Sequence, residues 1–355
     1  MEGVVPAEVS IPKDKRIVGI ELLRFYMAFM VVVTHLGGTI LYRIEHVLYI
    51  FQAFHVTVFM LLSFLLCGKY FLDPSKESTK KRAIRIVLPI VVWGLISFVV
   101  TLIWNLCFYK VPSLTFKDLC WQLLTGHSGG INTPLWFLVD MLWISCLLWL
   151  LRLILKKKYF AIALALVMAV CFVLQYTGAN YVMFGNLPYE LKYPLGRMIE
   201  MIPYANIGVL CSILIPWLQE KKFKLHIILF ISSLVLVALC IFIKWRFVNY
   251  SIQGFGYNGL YLMIGSILLM VMALTSPLNF VNNERFKCIV KWITSFTMGV
   301  YCMHVVFGKI VEGIFIKYGI MTQTIWVCLL VYIIGYAVSF VISLIPSKNI
   351  QNLVK

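Results

Sequence analysis

Long apolar runs alternate with short basic clusters from residue 17 almost to the C-terminus. A helix that crosses a bilayer takes about 20 mostly apolar residues. Ten segments meet that demand: 17–41, 47–68, 86–108, 134–155, 159–178, 198–218, 225–243, 256–276, 292–316 and 321–345. Closed β-barrels also span lipid, but their strands alternate strictly between apolar and polar positions. The stretch from Ala161 to Leu174 is apolar without a break, so the pattern predicts helices. The expected architecture is an all-α polytopic membrane protein of about ten transmembrane helices. A single membrane domain covers 17–345, with a cytoplasmic N-terminal segment at 1–16 and a cytoplasmic tail at 346–355. No internal repeat, low-complexity segment or soluble domain interrupts it. Residues 1–15 hold no apolar core and no small-residue cleavage site follows the first span, so no signal peptide is expected. Two outer loops have appreciable length, 109–133 and 179–197.

Composition agrees with the pattern. Apolar types make up 62% of the 355 residues and charged types 13%, with a mean hydropathy of +0.93. Soluble domains are about 45–50% apolar and about 25% charged. The net charge of +17 raises the question of nucleic acid, but the cations form no basic domain or stripe. They sit between apolar runs, as in integral membrane proteins. With the N-terminus placed in the cytoplasm, 21 Lys and Arg residues fall in inner segments and 8 in outer ones. That bias predicts cytoplasmic termini on both sides of an even number of spans. The ten cysteines lie mostly inside apolar runs, where a free thiol behaves as a small hydrophobe. Only Cys107 and Cys120 are placed to face an oxidising compartment.

Ionisable residues inside spans are costly, at about 2.5–3.5 kcal/mol each on insertion scales, and so need a reason. The first span carries three, Glu21, Arg24 and His35. Eleven residues separate Arg24 from His35, three turns plus about 20°, so the two share a face roughly 16 Å apart along the axis. Glu21 is one turn before Arg24 and can pair with it. The stripe is either a functional line or a structural ion pair with a hydrogen-bonded core histidine. His55 is expected two turns into the second span, Asp140 two turns into the fourth and His304 near the middle of the ninth; together they suggest a wet cavity in the outer half. At the inner start of the third span, Arg82 and Arg85 share one helical face. They are either an ordinary positive-inside anchor or two guanidinium forks for phosphate. No phosphate loop, dinucleotide fingerprint, zinc-ligand spacing or nucleophile elbow is present, and no metal is expected.

Five landmarks in order give the chain a resemblance. They are Glu21-Leu-Leu-Arg24 with His35 eleven residues after the arginine; Phe59-Met-Leu-Leu-Ser63; Arg82-Ala-Ile-Arg85 with Pro89 and Trp93; Pro134-Leu-Trp136-Phe-Leu138; and Ser295-Phe-Thr-Met-Gly-Val-Tyr301-Cys-Met-His304. The set resembles the integral-membrane acyltransferase family 3 of bacteria, whose members acylate sugars and other cell-envelope molecules. Phe64 stands where that family usually has Gly, and Asp140 lies near the place of a family Glu. The resemblance implies a bacterial inner-membrane O-acyltransferase, with acetyl as the expected group. Its donor would be acyl-CoA (acetyl-CoA), a co-substrate rather than a bound cofactor. Its acceptor would be a carbohydrate or lipid-linked glycan. It further implies His35 as general base with Arg24 and Glu21 beside it, Arg82 and Arg85 as donor-binding residues, and Ser63, Trp136, Asp140, Tyr301 and His304 as supporting residues on the acceptor side. The alternative is a transporter or exporter of envelope glycans, since buried His and Arg also mark transport paths; the inverted repeats common in transporters are missing from the sequence.

Overall fold

The computed structural model describes residues 17–36, 54–108, 114–126, 133–247, 260–319 and 325–354. Among these residues the chain is helical, with no strand. In lipid every backbone N–H and C=O has to be satisfied within its own segment, which continuous apolar runs can do only as helices. Twelve helices of ten residues or more follow one another. They are α1 (Val18–Leu36), α2 (His55–Leu72), α3 (Lys76–Phe108), α4 (Phe116–Thr125), α5 (Trp136–Ile154), α6 (Lys157–Tyr176), α7 (Tyr189–Cys211), α8 (Phe223–Phe247), α9 (Leu260–Thr275), α10 (Glu284–Thr294), α11 (Thr297–Lys317) and α12 (Ile325–Ser343).

Among the described residues, nine helical stretches are long and apolar enough to cross a membrane, with α10 and α11 counted as one. Among the described residues every predicted span overlaps a helix, but the sixth differs in kind. It was expected over 198–218, and α7 instead begins at Tyr189. Its length is sufficient, yet Glu190, Lys192, Arg197 and Glu200, with Pro194 and Pro203 inside the helix, leave it outside the apolar set. Two further boundaries move. Helix α2 starts at His55, and the part of the second predicted span before residue 54 lies outside the described residues. Helix α3 has 33 residues, about 50 Å at 1.5 Å per residue, against a hydrocarbon core of about 30 Å. The basic cluster from Lys80 to Arg85 therefore belongs to the same continuous helix as the third span, which begins at Lys76 and not at residue 86. The loop expected over 109–133 contains α4.

Helix α4 is set by its ends. Thr115 accepts from the Asp118 N–H, and Asp118 accepts from the Thr115 N–H at 2.7 Å, a reciprocal cap. Those bonds hold the Asp118 carboxyl below its ordinary range. Gly126 ends the helix with φ of 67°, and a Cβ there would lie 2.3 Å from Trp136 Cα. Only glycine allows both the left-handed turn and the close approach, so α4 folds back onto the start of α5.

Helix α1 is central and packs against α2, α9, α10, α11 and α12. Between lipid-soluble helices the apolar effect gives little drive, and small residues that let backbones approach take its place. Gly208 of α7 meets α2 so closely that a Cβ would be 2.4 Å from the Leu61 carbonyl oxygen. Methionine, leucine and aromatic side chains, among them Met27, Met60, Phe64 and Tyr204, fill the space around these contacts. After α12 the chain turns back: Trp93 Nε1 donates to Leu353 O at 3.1 Å and Gly299 N to Val354 O at 3.2 Å. All ten cysteines are free thiols.

Candidate active site

The first and last sequence landmarks meet. His35, near the end of α1, and His304, on α11, have ring centroids 5.2 Å apart at 42°. His55, the first residue of α2, is within electrostatic reach of both. Their exposures differ sharply. His304 is fully buried, His55 is buried, and His35 is exposed. His35 is thus the accessible edge of the cluster and His304 its floor. The turn of α11 before His304 carries Tyr301, whose hydroxyl donates to the Pro134 carbonyl. Its ring packs edge-on against Phe59 and Phe137, at 6.2 and 5.7 Å. Tyr301 therefore ties α11 to the short 3₁₀ turn Thr133–Leu135 that opens α5.

Lower on α1, Arg24 Nη1 lies 3.4 Å from Glu21 Oε2, the pair expected from their spacing. Glu21 is buried and Arg24 is half-buried. Helical periodicity puts Arg24 and His35 on one face of α1.

Asp140 is held in a buried ion pair. Its carboxylate is buried and takes a forked pair from Arg197 of α7, Nε to Oδ2 at 2.7 Å and Nη2 to Oδ1 at 2.9 Å. The same Nη2 donates to Thr125 O at 3.1 Å. The guanidinium carbon lies 4.3 Å from the Trp136 ring centroid. One cation thus ties α4, α5 and α7 together. Arg197 was counted as an outer-loop charge because the prolines of α7 hide the start of that helix in the sequence. A signal was available: a carboxylate two turns into an apolar span needs a cation.

Arg82 and Arg85 share a helix but not an environment. Arg82 is half-buried, and its Nε and Nη2 both donate to Ser145 Oγ at 3.3 Å. Its guanidinium lies over the stacked rings of Phe64 and Phe71, at 5.0 and 5.2 Å. Phe64, the departure from the family pattern, supplies part of this platform. Arg85 faces outward and is exposed. Arg82 is packed between α2 and α5. Ser63 is half-buried on α2 and takes part in none of these contacts. Among the described residues, no group of three His, Cys, Asp or Glu is arranged to hold a metal ion.

The family model described as an acyltransferase domain, that of acyltransferase family 3, matches residues 17–345. The chain belongs to acyltransferase family 3. No curated protein and no solved structure matches it. Membership makes the chain a multi-pass membrane protein with acyltransferase activity in general. For this family 3 member, the match runs from the residue before α1 to the end of α12 and so includes every residue of the histidine cluster, the Arg24–Glu21 pair and the Arg82 platform.

Proposed function

We propose that the protein is an O-acyltransferase of a bacterial inner membrane, with both termini in the cytoplasm. It moves an acyl group, acetyl in the simplest case, from acyl-CoA to a hydroxyl of a cell-envelope sugar or lipid-linked glycan. The observation that carries this reading is the exposed His35 imidazole, on the same helix face as Arg24 and against the buried His304, in a chain of an acyltransferase family.

The chemistry follows from the groups present. A neutral imidazole nitrogen of His35 takes the proton of the acceptor hydroxyl. The hydroxyl oxygen attacks the thioester carbonyl, a C–O bond forms, and the C–S bond breaks as the tetrahedral intermediate collapses. The imidazolium returns its proton to the departing CoA thiolate. A thioester is already activated, so the transfer needs no covalent enzyme intermediate. Arg24, held by Glu21, supplies positive charge in line with His35 for the donor's arm. Arg82, fixed on its aromatic platform, and exposed Arg85 supply guanidinium groups for the donor's phosphates.

The test is transfer of radiolabel from acetyl-CoA in membranes holding the protein, normalised to folded protein. Loss of a positioned general base costs about 10²–10⁴-fold in rate, and His35→Ala should lose activity on that scale while remaining in the membrane. Residues that act as a unit are non-additive, so Arg24→Ala added to His35→Ala should cost little more. Near-normal transfer by His35→Ala sinks the assignment.

A further inference from the structure

His304 presents a buried nitrogen with nothing to bond to. Its Nδ1 is 2.7 Å from the Tyr301 carbonyl oxygen. A carbonyl only accepts, so Nδ1 carries the proton, and Nε2 of the neutral ring is a bare lone pair. That Nε2 is fully buried and has no hydrogen-bond partner. A buried acceptor left without a partner is costly, so a donor brought to it is favoured. Two imidazoles lie near His304, those of His55 and His35; the ring in contact with it is that of His35, 5.2 Å away between centroids. Two imidazoles sharing one N–H···N bond have centroids about 5 Å apart, a bond of about 3 Å plus the two ring radii. Distance is therefore already right, and a rotation of the exposed His35 ring supplies the alignment. Hydrogen bonds of this kind are commonly misaligned in an unliganded site and tighten with substrate.

We propose that His304 is the positioning residue for His35: its Nε2 accepts the N–H of the His35 ring, which fixes the tautomer of His35 and leaves the other His35 nitrogen as the bare lone pair that meets the acceptor hydroxyl. The arrangement is that of a base oriented by a third group, with an imidazole in place of the more usual carboxylate. A carboxylate here would add an unpaired charge to a buried site; a neutral imidazole does not. The line of support continues outward. The Tyr301 carbonyl fixes His304, and the Tyr301 hydroxyl is anchored on Pro134. When His35 takes the hydroxyl proton, the N–H it already shares with His304 becomes charge-assisted and stronger, so His304 also favours the protonated intermediate. The proposal rests on His35 being the base.

The experiment uses the full-length protein in nanodiscs with acetyl-CoA as donor and membrane glycans as acceptor. His304→Phe keeps the ring volume and removes the acceptor; His304→Gln restores an acceptor near the position of Nε2. The expected result is a kcat lowered about 10–10³-fold in His304→Phe, with the KM for acetyl-CoA within about twofold, and clear recovery in His304→Gln. Solid-state ¹⁵N spectra of histidine-labelled protein add a readout independent of turnover: one tautomer for His35 in the wild type, a mixture in His304→Phe. Equal losses in Phe and Gln would assign His304 to packing alone. Near-normal kcat in His304→Phe while His35→Ala is dead would overturn this inference and leave the proposed function standing. If His35→Ala stays active, the proposed function fails; an unchanged His35 tautomer in His304→Phe then overturns the inference too.

Discussion

Removing Asp140 should unfold this protein more readily than removing any surface charge, and the structure gives the scale. The Asp140 and Arg197 side chains are 1% and 4% exposed. Their forked contact, the Thr125 carbonyl and the Trp136 and Tyr193 rings lie against the guanidinium. Asp140→Ala takes the forked carboxylate away from that buried guanidinium. Stranding one member of a buried pair costs about 3–5 kcal/mol, a factor of roughly 10² to nearly 10⁴ in the folding equilibrium. Arg197→Ala should cost as much, because it strands the carboxylate and also removes packing from Trp136. Replacing both members by apolar groups of similar volume is often neutral or better. Asp140→Leu with Arg197→Met should therefore recover most of the loss. The assay is unfolding in detergent followed by tryptophan fluorescence, with size exclusion to measure the folded fraction, and transfer activity per folded protein in parallel. If either single variant shifts stability by less than about 1 kcal/mol, the pair is hydrated and does not bolt the helices together.

Two further outcomes separate roles that the sequence joined. Arg85→Ala should weaken acyl-CoA binding with little change in stability, because Arg85 is exposed. Arg82→Ala should lower stability as well, through loss of the Phe64–Phe71 platform contact and the Ser145 bonds; equilibrium binding and thermal midpoint measured together distinguish the two, and identical behaviour of both variants would refute the split. Topology is testable with native thiols. Cys107 and Cys288 are both exposed and lie on segments assigned to opposite sides, so in single-cysteine variants a membrane-impermeant maleimide should label Cys107 from outside intact cells and Cys288 only after lysis; labelling from the same side would overturn the placement of both termini in the cytoplasm.

The spans were legible because an apolar run about 20 residues long has few alternatives, and the Glu21–Arg24–His35 stripe was legible because charge in such a run stands out. His304 and Tyr301 were found by motif, and the bond from Tyr301 to Pro134 joins two landmarks that lie far apart in the chain. What could not be read was pairing between helices. Arg197 has no local mark of burial, since Pro194 and Pro203 break the apolar pattern around it and its partner lies on another helix. Phe64 looked like a defect in a glycine position; in space it is a face for Arg82. Periodicity reports which face a residue occupies, and contact across helices decides what that face does.

The hydrogen bonds near the histidines form a continuous support in a medium where side-chain packing alone specifies position weakly. Gly126 brings α4 against Trp136; the Thr125 carbonyl and Asp140 fix Arg197; the turn that follows α4 presents the Pro134 carbonyl to Tyr301; and the Tyr301 carbonyl sets the protonation of His304. The hydrogen-bonded links are directional, and each holds a polar group that would cost energy if it slipped. Helices that are apolar on every face can slide or rotate against one another with little change in transfer energy, because lipid replaces protein. Directional bonds remove that freedom where reacting atoms must be held within about 0.5 Å. On the proposed mechanism, the buried polar groups of α4, α5 and α7 therefore serve the imidazole of α1 without touching substrate, which explains why charge is retained so deep in a chain that otherwise avoids it.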